Sequence, residues 1–250
     1  MRADSPVAVV TGGTGGIGTA ICRALAAAGF VVGVGFHRSA AAAEALAATL
    51  PGSGHAELSA PVTNSIGLRA LAEAVSKRYE RCDVLVNCAG TTRFVPHADL
   101  DGLDDALIDD ILAINVRGSF AAVRALLPLL RGSSRPGGGT VINISSIAAR
   151  TAMGSNVMYC ASKAAIDNMT QSLARALAPA VRVVSVAPGL VDTEFVKSLD
   201  SRWRDEQVAR TPLGRLAAPE DVAAAVIAVV RDLTFITGCV VAVDGGRPLN

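Results

Sequence analysis

Seven short, largely apolar runs punctuate this chain, separated by longer stretches in which apolar residues recur with helical spacing. The runs are Pro6–Val10, Val31–Gly35, Ala56–Ser59, Asp83–Asn87, Thr140–Ser145, Val181–Ala187 and Cys239–Val243. Their length and β-branched content predict strands buried on both faces of a sheet. The stretch after the first run shows the complementary pattern, with Ile17, Ile21 and Leu25 four residues apart on one helix face. Strands alternating with helices predict an α/β fold: a parallel sheet covered on both faces, with ligands bound outside the carboxyl ends of its strands. No linker or internal repeat interrupts the alternation, so residues 1–250 read as one domain. The polar segment Arg131–Gly139, R-G-S-S-R-P-G-G-G, is predicted as a solvated loop between a long helix and the fifth strand.

Composition adds bounds rather than chemistry. With 250 residues, 51% of them apolar, the chain can bury a sizeable core. Its 23 basic and 22 acidic residues leave a net charge of +1, which gives no sign of nucleic-acid or membrane binding. Cys22, Cys82, Cys88, Cys160 and Cys239 are odd in number and scattered, without a C-x-x-C pair, and read as reduced thiols. The first strand starts within a few residues of Met1, leaving no room for a secretory signal. No apolar run approaches the roughly 20 residues that span a bilayer. The expectation is a cytoplasmic protein.

Two segments carry candidate chemistry. After the first strand comes T-G-G-T-G-G-I-G, Thr11–Gly18, opening directly into a helix. Glycines at 12, 16 and 18 permit a tight turn, close backbone approach to a pyrophosphate and close helix–strand packing, with the helix N-terminus facing the phosphates. Further on, Tyr159 and Lys163 stand four apart in Y-C-A-S-K, on one face of a helix, in a chain with only three lysines and two tyrosines. A cation held near a phenol stabilises the phenolate and is expected to lower the tyrosine pKa, poising it for proton transfer. Taken alone, the pair is also what an ordinary half-buried helix produces.

In combination, T-G-x-x-x-G-x-G at Thr11–Gly18, N-C-A-G at Asn87–Gly90, Asn115, I-S-S ending at Ser146, Y-x-x-x-K, and A-P-G-L-V-D-T at Ala187–Thr193 resemble the short-chain dehydrogenase/reductases over essentially the whole chain. P-L-G-R at Pro212–Arg215, P-E-D-V at Pro219–Val222, I-T-G at Ile236–Gly238 and V-D-G-G at Val243–Gly246 resemble the bacterial 3-oxoacyl-[acyl-carrier-protein] reductase-like branch. The resemblance implies a single-domain, doubly wound Rossmann fold with a mostly parallel seven-stranded sheet in the order 3-2-1-4-5-6-7. It implies a catalytic tetrad of Asn115, Ser146, Tyr159 and Lys163. Tyr159 would act as the acid, and Lys163 would tune it and bind the nicotinamide ribose. Ser146 would hold the carbonyl oxygen while Ser145 faces the core, and Asn115 would anchor a water linking Lys163 to solvent.

The same carry-over places a dinucleotide against Gly12, Thr14, Gly15, Gly16, Ile17 and Gly18. Val62, Asn87, Ala89 and Gly90 would follow along the adenosine half, and Tyr159, Lys163, Pro188, Gly189 and Thr193 around the nicotinamide. At the end of the second strand the acidic residue typical of NAD enzymes is replaced by Phe36, followed by His37, Arg38 and Ser39. No carboxylate there repels a 2′-phosphate, and a guanidinium can bind one bidentately. The F-H-R-S segment also resembles the Y-H-R-S of pteridine reductases, so NADP(H) is the favoured cofactor over NAD. Gly15 runs against this, since many NADP-preferring relatives carry a basic residue in that turn. Pro61 stands where relatives have an adenine-binding aspartate, Cys88 replaces the second asparagine of N-N-A-G, and Val184 stands where R-V-N is typical.

The resemblance implies an NADPH-dependent carbonyl reductase acting on a small-molecule ketone, with a 3-oxoacyl thioester favoured. Alternatives are a dehydrogenase of a secondary alcohol, sugar or steroid, and a non-enzymatic NADP-sensing regulator. A homotetramer is implied through Leu103–Leu130, Val157–Leu177 and Glu220–Val243. Acyl carrier protein stays open as a partner. The helix after Y-x-x-x-K ends A-L-A-P-A without the basic residue common among carrier-dependent relatives, for which Arg131, Arg135, Arg150 and Arg175 could compensate. No metal site is expected: His55 and His97 lack ligand partners at metal spacing and read as exposed loop residues. Asp104, Asp105, Asp109 and Asp110 read as a solvated helix face, and Trp203 and Phe195 as either a substrate lid or ordinary packing.

Overall fold

A computed structural model describes residues 5–197 and 200–249. In chain order the elements begin with β1 (Val7–Thr11), α1 (Gly16–Ala27), β2 (Val31–Phe36), α2 (Ala40–Thr49), β3 (Ala56–Ser59), α3 (Ser65–Tyr79) and β4 (Val84–Asn87). Next come α4 (Asp105–Ile111), a π-helical segment (Leu112–Gly118), α5 (Ser119–Arg131), β5 (Gly139–Ile144), α6 (Ala148–Thr151), α7 (Val157–Leu177) and β6 (Val181–Pro188). The chain closes with α8 (Glu194–Lys197), α9 (Ser201–Ala209), α10 (Pro219–Arg231) and β7 (Val240–Val243). Each predicted strand forms with its ends shifted by no more than one residue.

The seven strands make one sheet in the order β3-β2-β1-β4-β5-β6-β7, and all six ladders are parallel. Successive strand residues feed opposite layers. Val7 and Val9 pack with α3, α5 and α7, whereas Ala8 and Val10 pack with α1, α2 and α10. Two-sided burial explains why the strands read as continuous apolar runs rather than alternating ones. Strand order reverses between β1 and β4, which opens a crevice at their carboxyl ends.

The helical run Asp105–Arg131 is 27 residues long and apolar enough, by length and composition, to cross a membrane. It is not an uninterrupted apolar run, since Asp105, Asp109, Asp110, Arg117, Arg124 and Arg131 lie within it. Its residues Ala122, Leu126 and Leu130 are fully buried against the sheet, as in the core helix of a globular domain. Asp104 caps this run, accepting the Leu107 N–H at 2.8 Å, and pairs with Arg93 at 2.9 Å. Asp105, Asp109 and Asp110 lie on its exposed face.

His55 departs from the exposed role expected of it. It is half-buried, its Nδ1 accepts the Val32 N–H at 3.1 Å and its Nε2 lies 3.0 Å from Pro51 O, so it braces the start of β2. His97 is exposed, its Nε2 3.2 Å from Gly154 O. All five cysteines are free thiols.

Candidate active site

The crevice is built first by glycines. Gly12 follows β1 at φ +65°, and a Cβ there would lie 2.8 Å from Ala89 Cα. A Cβ on Gly18 would sit 2.2 Å from Gly12 O, and one on Gly16 would meet Thr193 Cγ2 at 3.0 Å. The turn, the end of β4 and the loop after β6 therefore close on one another with backbone-thin walls. Thr11 Oγ1 locks the joint by accepting the N–H groups of Cys88 and Ala89, both at 3.2 Å. Thr14 and Ile17 are half-buried beside this cradle, and Gly15 and Gly16 are exposed at its mouth. Bare backbone at a helix N-terminus suits a pyrophosphate, so these residues fit a dinucleotide.

At the end of β2, His37, Arg38 and Ser39 are exposed, and among the described residues Arg38 has no ion-pair or hydrogen-bond partner. Val62, after β3, is buried beneath Gly118, whose added Cβ would lie 3.0 Å from Val62 Cβ. Pro188 ends β6, and Gly189 packs so closely that a Cβ would meet Asp244 Cα at 3.0 Å.

Asn156 starts α7. Its Oδ1 accepts the Tyr159 N–H at 2.7 Å, while its Nδ2 donates to Thr92 Oγ1 at 3.2 Å and Arg93 O at 2.8 Å. This cap fixes both the helix start and the loop after β4 over it. One turn beyond Tyr159, Lys163 Nζ donates to Ile144 O at 2.8 Å and lies 5.7 Å from the Tyr159 ring centre. The Ser146 hydroxyl is near enough to the phenol to favour its ionised form, and accepts the Ala148 N–H at 3.1 Å. Ser145, on the opposite side of the strand end, is buried and donates to Lys163 O at 3.4 Å. A Cβ on Gly90 would lie 3.4 Å from Asn115 Oδ1 and 3.9 Å from Lys163 Nζ. Ser146, Tyr159, Lys163, Asn115 and Gly90 thus converge at the carboxyl ends of β4 and β5.

Electrostatics corrects the expectation for the phenol. Burial pushes the Tyr159 pKa above its ordinary value, outweighing the opposing influence of Ser146, so the protonated form is favoured. Lys163 is itself pushed down to about 8 by burial, with Cys88 and Asp167 opposing the fall. Asn115 is held from both sides. Its Oδ1 accepts the Thr91 N–H at 2.8 Å, and its Nδ2 donates to Thr91 O and Ser162 Oγ, both at 3.1 Å. The side chain ties the β4 loop to α7.

The π-helical segment around Asn115, the Asn156 cap and the Thr11 bridge were not foreseen as parts of the site. Of these, only Asn156 carries a sequence signal, an N-cap residue just before an apolar helix. The arginines invoked for carrier docking do not converge. Arg131, Arg135 and Arg175 lie at the amino-terminal edge of the sheet, where Arg135 stacks 4.6 Å from the Phe30 ring centre and donates to Val230 O. Only Arg150, on α6, lies at the site's end. Trp203 is half-buried on α9, its N–H donating to Asp200 Oδ1 at 2.9 Å; the Phe195 side chain lies outside the described residues. Among the described residues no cluster of three His, Cys, Asp or Glu side chains could hold a metal ion.

A glycine cradle at a parallel sheet's switch point, facing a Ser–Tyr–Lys group, defines a Rossmann-fold oxidoreductase that works on C–OH and C=O groups with a nicotinamide dinucleotide. Comparison with known proteins narrows that class. A family model described as enoyl-(acyl carrier protein) reductase matches residues 12–247. The chain is 41% identical to the protein named "Granaticin polyketide synthase putative ketoacyl reductase 2" of Streptomyces violaceoruber, over 98% of this chain and 97% of that one. It is 37% identical to a cis-4-hydroxycyclohexanecarboxylate dehydrogenase of Sinomonas cyclohexanicum, over 96% of this chain and 95% of the relative. A crystal structure of 3-ketoacyl-(acyl-carrier-protein) reductase from Brucella melitensis, complexed with NADH, superposes with a TM-score of 0.87 at 29% identity, covering 99% of this chain and 100% of that one. The protein belongs to the short-chain dehydrogenase/reductase family.

Proposed function

We propose that the protein is an NADPH-dependent carbonyl reductase whose substrate is a 3-oxo compound, a 3-oxoacyl thioester being favoured. The observation that carries this reading is a phenol kept protonated by burial, beside the Ser146 hydroxyl and one turn from Lys163, whose Nζ lies 5.7 Å from its ring centre. When bound, the nicotinamide dinucleotide supplies the hydride for the carbonyl carbon. Ser146 holds the carbonyl oxygen by hydrogen bonding, and Tyr159 delivers its proton to that oxygen, so no full negative charge accumulates there. Lys163 offsets the charge left on the phenolate. Asn115 holds the β4 loop, and with it Gly90, against α7. Arg38 at the end of β2, with His37 and Ser39, offers a charge-assisted contact for a 2′-phosphate. The ketoacyl reductase among the relatives supports the substrate class. Acyl carrier protein is a partner only if a surface other than Arg131, Arg135 and Arg175 receives it.

A second reading, oxidation of a secondary alcohol, is favoured by the similarity to the hydroxycyclohexanecarboxylate dehydrogenase. The two separate in an assay of NADPH and NADH oxidation with acetoacetyl-CoA and its N-acetylcysteamine analogue, run against NADP reduction with cyclic alcohols. Tyr159→Phe is expected to cut reduction by about 10²–10⁴-fold while cofactor binding stays within a few-fold. A Phe variant with near-wild-type kcat would refute the mechanism.

A further inference from the structure

The face of α7 that meets the sheet carries Lys163, Asp167 and Thr170 on successive turns, all buried. Lys163 and Asp167, four residues apart, stand one above the other on that face. The seam they look into is polar and mostly satisfied. Asn143 Nδ2 donates to Thr170 Oγ1 at 2.8 Å, Thr170 Oγ1 and Ser185 Oγ are 2.8 Å apart, and Asn87 Nδ2 donates to Asn143 Oδ1 at 2.9 Å. Against this background Asp167 is anomalous. It is only 8% exposed, yet both its carboxylate oxygens lack a hydrogen-bond partner among the described residues. A buried, unpartnered carboxylate lowers stability and calls for a reason to be there.

The surroundings supply one available cation. Of the two buried positive groups on the elements packed round Asp167, Arg182 is engaged with Gly137 O, Leu233 O, Ile236 O, Val229 O and Thr140 Oγ1, which leaves Lys163. Arg117 on the π-helical segment and Arg150 on α6 are exposed, Asp109 and Asp110 on α4 are exposed, and Arg182 lies at the far end of β6. Besides Asp167, the titratable groups facing Lys163 are Cys88 at the end of β4 and Tyr159 on α7 itself. Cys160, on α7 beside Tyr159, is buried as well. We propose that Asp167 is a positioning residue, the buried counter-charge that keeps Lys163 protonated at its station below the phenol. This rests on the role given to Lys163 above. Burial by itself drives a lysine toward the neutral form, and a neutral amine neither offsets a phenolate nor holds its partners as strongly. The direction of the Lys163–Asp167 interaction, which favours the ammonium, agrees.

The test reads Lys163 directly. The chain has three lysines, Lys77, Lys163 and Lys197, so lysine labelled with ¹³C at Cε gives few enough NMR signals to titrate each in the cofactor-free protein. In Asp167→Asn the Lys163 midpoint is expected to fall by about half a unit or more from the wild-type value near 8. Asp167→Glu, which keeps the charge, is expected to stay near wild type. The alkaline limb of kcat/KM for carbonyl reduction should move down with the midpoint, leaving activity near pH 6.5 within about twofold. The Tm of the Asn variant should fall below the wild-type Tm at pH 6.5, where the buried Lys163 ammonium is left without its counter-charge, and approach it above pH 8, where Lys163 is neutral. Should the Asn variant fail to fold, Asp167→Ser removes the same charge with less volume and is read in the same way. An unchanged Lys163 midpoint in the charge-removing variant overturns the proposal, as does activity lost equally at every pH. A fallen midpoint beside an unchanged rate profile supports the counter-charge and overturns the role of Lys163 instead, so the two readings fail separately.

Discussion

The glycine turn permits a graded test, because the same added methyl group meets three different surroundings within four residues. At Gly15 the nearest atom to an added Cβ is Gly12 O at 3.4 Å, an ordinary contact, and the backbone has φ −75°. Gly15→Ala should therefore be neutral or stabilising by about 0.4–1 kcal/mol through the unfolded chain. At Gly16 the neighbour is the Thr193 side chain, at 3.0 Å to Cγ2 and 3.3 Å to Cβ, which can yield by a few tenths of an ångström. Gly16→Ala should leave stability within about 1 kcal/mol. The methyl narrows the crevice, however, so cofactor affinity should drop. At Gly18 the obstacle is backbone on three sides, with Gly12 O at 2.2 Å, Gly13 Cα at 2.9 Å and Gly12 C at 3.0 Å. Relief requires the turn to move by more than 1 Å relative to the helix, since an ordinary contact begins near 3.4 Å. Overpacking of that kind costs about 1–3 kcal/mol, or about 2–12 °C in Tm at this chain length. It should also weaken NADPH binding by about tenfold or more, because the displaced atoms are those that form the cradle. Calorimetry gives the first quantity and fluorescence titration with NADPH the second. A Gly18→Ala protein with wild-type Tm and an NADPH Kd within twofold would show that the turn is not the close-packed cradle described.

Arg38→Ala removes a charge-assisted phosphate contact worth about 1.5–3 kcal/mol, so the ratio of kcat/KM for NADPH over NADH should shrink about tenfold or more. Equal use of both cofactors by the wild-type protein would defeat that assignment. Carbonyl reduction should decline as pH rises through about 8, where Lys163 loses its charge, while the raised pKa of Tyr159 keeps the acid protonated through that range. An alkaline limb more than about 1.5 units higher would show that Lys163 does not govern it. Light scattering at micromolar concentration should report a homotetramer. Leu112, Phe120 and Val157 on the long helices, and Phe235 before β7, are exposed apolar side chains on the surfaces expected to pair, and two isologous contacts give closed D2 symmetry. A monomer would refute this.

The layered fold was legible because its determinants are local and repeated. Apolar runs such as Val181–Ala187 are two-sided strands, Ile17, Ile21 and Leu25 mark a helix face, and Gly12 and Gly18 sit where no side chain fits. The tetrad could be named from motif order, since spacing alone places Tyr159 and Lys163 on one helical face. What those residues do to one another was beyond the sequence. The phenol's pKa rises instead of falling because desolvation, a property of the surrounding atoms, outweighs the opposing influence of Ser146. Asn115 is held by Thr91 and Ser162, residues 24 and 47 positions away, on a π-helical turn that no periodicity announces. Arg131 and Arg175 fall at the wrong end of the sheet, because a helix returning between parallel strands ends at the edge where the next strand begins. The unpartnered carboxylate of Asp167 reads in the chain as one more polar residue of an amphipathic helix. Local preference and periodicity are written along the sequence; burial and the meeting of distant strand ends exist only once the sheet has closed its layers.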